Sequence, residues 1–402
     1  MIRLILLTDF TEAFAHNLLR GILEYSKERE PWVVCRMPPS YKQSHGIPGV
    51  LKWAKKWQAD AIIAQFDDDD EVELFRKNGI IALAQDFKSR FSVIPNITSE
   101  YKLTGQMAAD FFLQKGFRNF AFYGYENVVW SEERCMGFRD RIIEKGFGDN
   151  FFEYQKQPLE NLWYYESEPL ASWIKSLPHP LALMACDDTQ GNKIMEVCRV
   201  LGIKIPEEIA VLGVDNDEII CSLSDPPLSS VNLNIVKGGY EAAQLIERLM
   251  RDKEASCEDV VIHPTTITNR LSTDIYSTGD PYILVALKYI HQNLATKITV
   301  EDVVRQVPLS RRLLEIHFKQ VTGSSIYQYI FNLRMERFSQ LLLESSEPIA
   351  DIAMSVGLSD YKNLARQFKL WKKYINPEKP DVPINKNDAF QKVQKRRVQE
   401  KR

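Results

Sequence analysis

The chain has 402 residues, of which 45% are apolar and 26% charged, with a net charge of −3; that is the composition of a globular protein large enough for two or three domains. The opening apolar run, MIRLILLTDF, meets Asp9 too early for a signal peptide or a membrane span, and no other stretch approaches the roughly 18 uncharged apolar residues that a span needs, so the sequence predicts a cytoplasmic protein without membrane contact. The cysteines (Cys35, Cys135, Cys186, Cys198, Cys221 and Cys257) are scattered with no CxxC pair, and read as reduced, mostly buried thiols rather than a disulfide framework or a zinc site.

The charge is unevenly spread. From Asp280 onward 21 Lys/Arg face 13 Asp/Glu, a net of +8, while the preceding residues carry a net of −11. An acidic body with a basic C-terminal region points to a polyanionic partner for that region, although a basic tail is also often merely solvated.

Along residues 2–270 short apolar runs alternate with amphipathic helical patterns. The strand candidates are Leu4–Leu7, Ala61–Ala64, Ile80–Ala84, Phe120–Tyr123, Leu181–Ala185 and Ala210–Val214. Between them lie helical patterns such as Ala13–Lys27, Leu103–Lys115, Arg134–Lys145, Gly191–Leu201 and Gly238–Arg251. Strand–helix alternation over this length predicts two parallel sheets with helices on both faces, hence two lobes within residues 1–271. Sites in such folds form at the C-terminal ends of strands. Those ends carry Asp9 and Phe10, Asp67, Asp86, Tyr125, Asp187 with Asp188, and Asp215 with Asp217. Carboxylates there suit paired sugar hydroxyls, and suit turn and helix-cap duties equally well.

Residues 100–235 resemble the sugar-binding domain of the LacI/GalR repressor family, itself related to periplasmic sugar-binding proteins. The resemblance is carried by Thr104–Asp110 followed by Gly116–Gly124, by Arg134-Cys135-Met136-Gly137-Phe138, by Ala185–Asp188, by Ile205–Asn216 and by Pro227–Val231. It implies Arg134, Asp187 and Asp215 as ligands of sugar hydroxyls and Trp163 as a stacking wall, with a core residue near the hinge as the other reading of Trp163. Asp9, Phe10 and Asp67 complete the expected effector site. Arg134 is expected to begin a helix of the first lobe, and Asp187 and Asp215 to follow strands of the second, so that a sugar touching all three bridges the cleft. LacI-type repressors begin with a DNA-binding headpiece, whereas this chain opens on its first strand, so if it binds DNA another region is expected to do so.

Ser272–Pro281 is polar, holds Gly and Pro, and breaks both periodicities, which predicts a linker over 272–281. An all-helical pattern follows over 282–380. Tyr282–Leu294 forms a core-facing helix, Thr299 caps Val300–Val307, and Ser310 caps Arg311–Val321, which Gly323 ends. A long helix spans Ser325–Glu344. Pro348 then opens Ile349–Val356, and Asp360 caps a helix to Lys373. Two helix-turn-helix units about 50 residues apart, joined by one long helix, resemble the DNA-binding domain of the AraC family, whose unit spacing this plan matches. Leu309–Lys319 with Gly323, Ile326–Ile330 with Leu333–Arg337, and Ile349–Asp360 with Phe368-Lys369 carry that resemblance. Pro308 in place of the usual turn glycine, Leu364 in place of an aromatic, and an altered final turn depart from it. Leu314 and Phe318, like Leu364 and Phe368, lie four apart on a core face. Arg311, Arg312 and Glu315 of the first unit, and Tyr361, Lys362, Asn363 and Arg366 of the second, are left for bases and phosphates.

A LacI-like sugar domain followed by an AraC-type domain is similar to the xylose-responsive activator family. The resemblance implies a sugar-responsive activator with D-xylose as effector and double-stranded operator DNA as target, acting as a homodimer, with RNA polymerase as a further partner. Asp67–Asp70 lacks the ligand spacing of a calcium loop and reads as a solvated turn. The sequence has no HExxH, GxSxG, P-loop or GxGxxG, so no enzyme, metal or cofactor is expected. The tail at 381–402 is basic and poor in apolar residues, as disordered segments are.

Overall fold

Fully apolar runs of four to six residues form the central strands, where both faces are covered and no alternation is needed. The computed structural model describes residues 1–10, 13–27, 29, 31–156, 167–252, 258–274, 280–344, 348–358 and 364–375. The first lobe is begun by β1 (Arg3–Leu7), α1 (Ala13–Lys27), β2 (Val33–Met37), α2 (Pro39–Trp57), β3 (Ala61–Ala64), α3 (Glu73–Lys77), β4 (Ile81–Gln85) and β5 (Asn96–Ser99). The second lobe holds α4 (Tyr101–Gln114), β6 (Asn119–Tyr125), α5 (Val129–Glu144), β7 (Phe151–Lys156), α6 (Ser167–Ser176), β8 (Leu181–Ala185), α7 (Asp188–Leu201), β9 (Ile209–Val214), α8 (Glu218–Leu223) and β10 (Ser229–Leu233). The chain then returns through α9 (Ile235–Arg251) and β11 (Val260–Ile262) to the first lobe, and through β12 (Pro264–Thr268) to the second.

Among the described residues each lobe is built on a six-stranded sheet, ordered β2-β1-β3-β4-β5-β11 in the first and β7-β6-β8-β9-β10-β12 in the second. Neighbouring strands run parallel, except that β12 lies antiparallel to β10. The expected strands are all present. Those beyond the expectation are edge or polar strands. Strand β2 is half-exposed at a sheet edge. Strands β5 (NITS) and β10 (SSVNL) carry hydroxyls and an amide whose partners are distant in sequence: Thr98 bonds Asp86, Asn96 bonds Asp259, and Ser229 meets Thr273.

The chain crosses between lobes at β5–α4, β10–α9 and β11–β12, and the crossings are stitched together. Glu100 N donates to the Ile262 carbonyl at 3.1 Å and Asn234 N to the His263 carbonyl at 3.0 Å, while Glu100 and the His263 ring lie 2.7 Å apart.

Each lobe also contains a pair of helices that meet through reciprocal glycines. A Cβ on Gly21 of α1 would lie 1.9 Å from the Val236 carbonyl oxygen of α9, and one on Gly239 would lie 2.1 Å from that of Leu18. In the second lobe a Cβ on Gly105 of α4 would lie 2.2 Å from the Arg134 carbonyl oxygen, and one on Gly137 of α5 would lie 2.0 Å from that of Lys102. Backbone therefore rests on backbone. The α4–α5 contact places α5 in the second lobe, where Cys135, Phe138 and Ile142 join the core with Phe112 and Phe120. Arg134 consequently belongs to the second lobe and sits inside a helix rather than at its start, contrary to the expectation.

The polar run after β12 is not a linker over its first residues. Ser272 and Thr273 are fully buried, and Ser272 Oγ donates to the Val211 carbonyl at 2.6 Å while accepting from Ser229 N.

The C-terminal helices are α10 (Pro281–Gln292), α11 (Val300–Val304), α12 (Arg311–Thr322), α13 (Ile326–Glu344), α14 (Ile349–Ser355) and α15 (Leu364–Ile375). The compact units divide inside α10, between Lys288 and Tyr289, rather than before it, because Leu284 packs against the core of the second lobe. Thr299 and Asp302 form a capping box on α11, Ser310 caps α12, and Gly323 ends α12 at φ 74°. The Arg334 guanidinium, half-buried on α13, donates to the carbonyls of Leu294 and Thr296, and burial lowers its pKa. No helix among the described residues is long and apolar enough to cross a membrane.

Replacing a helical glycine by alanine ordinarily stabilises by up to about 1 kcal/mol. Gly137→Ala reverses that sign: with a carbonyl 2.0 Å from the new Cβ, a loss of about 2 kcal/mol is expected from overpacking. Denaturant melts decide it, and an unchanged or raised midpoint would mean that α4 and α5 do not depend on this contact.

Candidate functional site

Between the two lobes lies a cleft that opens to solvent, with about 600 Å³ of empty space when the solvent at its mouth is included. The first lobe lines it with Ala13 and Phe14 at the start of α1, Gln65 after β3, and Gln85 and Asp86 at the end of β4. Tyr101, at the β5–α4 crossing, also lines it. The second lobe contributes Trp130 and Arg134 of α5, Asp187, Asp188 and Thr189 at the start of α7, and Val214, Asp215 and Asp217 after β9. Both halves of the wall are therefore C-terminal strand ends and helix starts, as parallel sheets dictate.

Arg134 organises the second-lobe half. Its side chain is 3% exposed. Nη1 donates to the Cys186 carbonyl at 2.5 Å and Nη2 to Asp215 Oδ1 at 3.1 Å, while Nε has no protein partner. The rings of Trp130 and Tyr101 flank the guanidinium, with centroids at 5.3 and 5.5 Å. Burial works against its charge and is the largest single influence, but Asp215, Tyr101, Cys186 and Asp187 together outweigh it and the pKa is raised. Asp215 holds a strained backbone, φ 93°, of a kind that persists where surrounding bonds over-determine it. Here Asp215 N donates to the Val231 carbonyl, and Arg270 grips the neighbouring Asn216 side chain. Burial raises the pKa of Asp215 against the pull of Arg134.

Asp86 is the first-lobe counterpart. Its Oδ2 accepts from Thr98 Oγ1 at 2.6 Å and from Arg90 Nε at 3.0 Å. Its Oδ1 is buried without a partner, as is Oε1 of the adjacent Gln85. Burial again raises the carboxyl's pKa, with Thr98 and Arg90 opposing. The buried acceptors Gln85 Oε1 and Asp86 Oδ1 and the buried donor Arg134 Nε thus belong to residues that converge on one cleft from both lobes. Such an arrangement suits a neutral ligand with several hydroxyls between aromatic faces.

The strand-end residues named from sequence divide. Asp215 and Asp187 line the cleft, and Asp187 also caps α7, accepting from Gln190 N at 2.7 Å. Asp217 caps α8. Asp67 is bound by Lys42 and Lys88 at 2.7 and 3.1 Å, and Lys42 reaches Asp70 as well, so Asp67–Asp70 is a knit turn rather than a merely solvated one. Phe10 packs on the first-lobe core and under Arg36; the cleft wall beside it is Phe14. Asp9 is half-buried and does not line the cleft. Trp163 lies outside the described residues. Gln65, Gln85, Tyr101 and Trp130 were not named as ligands. The strand-end rule could have found the glutamines, whereas nothing local marks the aromatics.

The C-terminal unit presents two equivalent helix faces. Leu314 and Phe318 of α12 are fully buried, and Leu364 of α15 is nearly so, with Phe368 packed beside it. On the opposite face of α12, Arg312, Ile316, Lys319 and Gln320 are exposed. On α15 the exposed residues are Arg366, Lys369 and Leu370. Arg311 pairs with Glu301, and Glu315 accepts from Ile326 N at 3.3 Å, fastening α13. Tyr361, Lys362 and Asn363 lie outside the described residues.

Comparison with known proteins follows the same division. A periplasmic binding protein-like domain family matches residues 109–273, and a helix-turn-helix domain family matches residues 303–374. The xylose operon regulatory protein of Haemophilus influenzae is 31% identical over 333 residues, which cover 81% of this chain and 85% of that protein. Its counterpart in Escherichia coli K12 is 28% identical over 382 residues, 92% of this chain and 94% of that protein. The solved structure of the xylose-binding transcription activator xylR superposes with a TM-score of 0.58 at 26% identity, covering 94% of this chain and 98% of that one.

Arg134→Met should leave Asp215 buried without its cation and destabilise the lobed unit by about 3 kcal/mol. Adding Asp215→Asn should restore most of that loss. Thermal melts of the two variants test this, and equal melting temperatures for them would show that the pair does not share a buried charge.

Proposed function

The chain belongs to the family of the xylose operon regulatory proteins, and from that premise we propose that D-xylose is the effector bound between the two lobes. The protein is a sugar-responsive, DNA-binding transcription regulator and not an enzyme. The observation that carries the effector reading is the set of buried polar atoms without partners, Gln85 Oε1, Asp86 Oδ1 and Arg134 Nε, on residues that line one cleft. In this reading Asp86 and Gln85 take hydroxyls from the first lobe, and Arg134, Asp187 and Asp215 take them from the second. Phe14 and Trp130 cover the apolar faces of the sugar ring. A ligand held from both sides binds the closed arrangement of lobes better than the open one, and that difference is what shifts the population.

On the DNA side, α12 and α15 are the recognition helices. Arg312 and Lys319 of the first unit, and Lys362, Arg366 and Lys369 of the second, supply the cations for phosphates and base edges. The exposed Ile316 suits a thymine methyl. A homodimer acting as an activator with RNA polymerase, working in the cytoplasm, belongs to the same reading.

Asp215→Asn keeps the shape of the side chain and removes a charged acceptor, a change that typically costs about 1.5–3 kcal/mol. D-xylose affinity should therefore fall roughly tenfold to a hundredfold by calorimetry, with sugar-free operator binding intact. Wild-type affinity in that variant would remove Asp215 from the site, and a thermal-shift panel of pentoses and hexoses shows whether another sugar takes the place of D-xylose.

Arg366→Ala should weaken operator binding by about 1–3 kcal/mol if it reads a base, and leave sugar binding unchanged. An unaltered gel-shift titration would take α15 out of the interface.

A further inference from the structure

Arg90, on the loop after β4, makes contacts that the effector site does not require. Its Nε donates to Asp86 Oδ2 at 3.0 Å and to Thr98 Oγ1 at 3.1 Å, both within the first lobe. Its other edge crosses to the second lobe, where Nη1 and Nη2 donate to Glu133 Oε1 and Oε2 of α5 at 2.8 and 2.9 Å. Beside this fork the backbones are also joined, with Val129 N, at the start of α5, donating to the Phe87 carbonyl at 2.8 Å. The residue after Glu133 is Arg134, whose guanidinium turns into the cleft. The ring of Tyr101 stands between the two arginines, its centroid 5.8 Å from Arg90 and 5.5 Å from Arg134.

We propose that Arg90 is a positioning residue that ties filling of the cleft to closure of the lobes, acting through Asp86 on one edge and Glu133 on the other. This rests on the reading of the cleft as the sugar site. A guanidinium is planar and rigid, so the direction of its Nε edge fixes the direction of its Nη edge. Thr98 and Arg90 between them occupy Oδ2 of Asp86, which leaves Oδ1 as the oxygen for an effector hydroxyl. A hydroxyl on Oδ1 fixes the plane of the carboxylate, and with it the plane in which Arg90 meets Glu133. In the other direction, the Arg90–Glu133 fork exists only when the lobes are together. It raises the closed fraction, and apparent affinity scales with the fraction that is competent to bind. Arg90 and Glu133 are 36% and 24% exposed, so the fork is a modest bias rather than a lock, which suits a switch that must reopen.

The test is a double-mutant cycle on the full-length chain, with Glu133→Gln, Asp86→Asn and the double variant titrated calorimetrically with D-xylose. Glu133 does not line the cleft, so direct loss of a sugar contact does not enter. Glu133→Gln should raise the Kd about threefold to tenfold, leave sugar-free operator binding unchanged, and add little on top of Asp86→Asn. The proposal is overturned if Glu133→Gln binds D-xylose like the wild type, or if the two losses simply multiply in the double variant. A Glu133→Gln variant that loses the same melting temperature with and without sugar would also overturn it, because the fork would then brace the fold independently of the ligand. If the wild type is silent to D-xylose, the effector reading fails on its own, and the cycle is run with whichever pentose or hexose raises its melting temperature. If none does, the proposal falls with the reading.

Discussion

A buried guanidinium is the constraint around which the lobed unit is arranged. Arg134 is nearly inaccessible, and a cation there is tolerable only with an anion and carbonyls in place. Several otherwise unconnected features meet that requirement. Gly105 and Gly137 let α4 and α5 touch backbone to backbone, which sets the depth of α5. The strained turn at Asp215 carries its carboxylate back toward the helix. The end of β8 turns the Cys186 carbonyl onto Nη1. Two of these cost something alone: a glycine in a helix and a positive φ on an aspartate. Together they hold one charge at the foot of a cleft with an edge still free to donate.

Much of the fold could be read from the residues because its core strands are apolar on both faces, and such runs have few other interpretations. The C-terminal helices were legible for a related reason. Their caps and cores are local: Thr299 with Asp302, Ser310 with the α12 amides, and Leu314 four residues before Phe318. What stayed hidden depends on partners far along the chain. Strands β5 and β10 are polar, and only bonds from Asp86, Asp259 and Ser272 make their burial tolerable. The lobe to which α5 belongs is set by its glycine contact with α4, which no periodicity reports.

The candidate site was half legible for a more specific reason. An aspartate after a strand has two oxygens and a choice of employer. Asp187 and Asp217 spend an oxygen on helix amides, Asp67 spends both on lysines, and Asp86 spends one on Thr98 and Arg90 while the other stays unpartnered. The residue type is identical in each case. Only the second oxygen distinguishes a ligand-binding carboxylate from a cap or an ion-pair partner, and its surroundings are a property of the fold.

The charge of the cleft also bears on which sugars it accepts. Asp86, Asp187, Asp188, Asp215 and Asp217 line it, against Arg134 as the cation among the lining residues, and Arg134 is already committed to Asp215 and Cys186. Burial pushes Asp188 well above the ordinary carboxylate range, and Asp86 and Asp215 upward, so burial in the cleft disfavours negative charge on these groups. A phosphorylated sugar would bring a charge of nearly −2 into that field and find no uncommitted cation to receive it. A neutral polyol brings no charge, and the buried acceptors Gln85 Oε1 and Asp86 Oδ1 stand without partners to receive its hydroxyl protons. The lining of the cleft therefore offers a neutral polyol more than it offers a phosphorylated one, which agrees with the reading of a free sugar as effector.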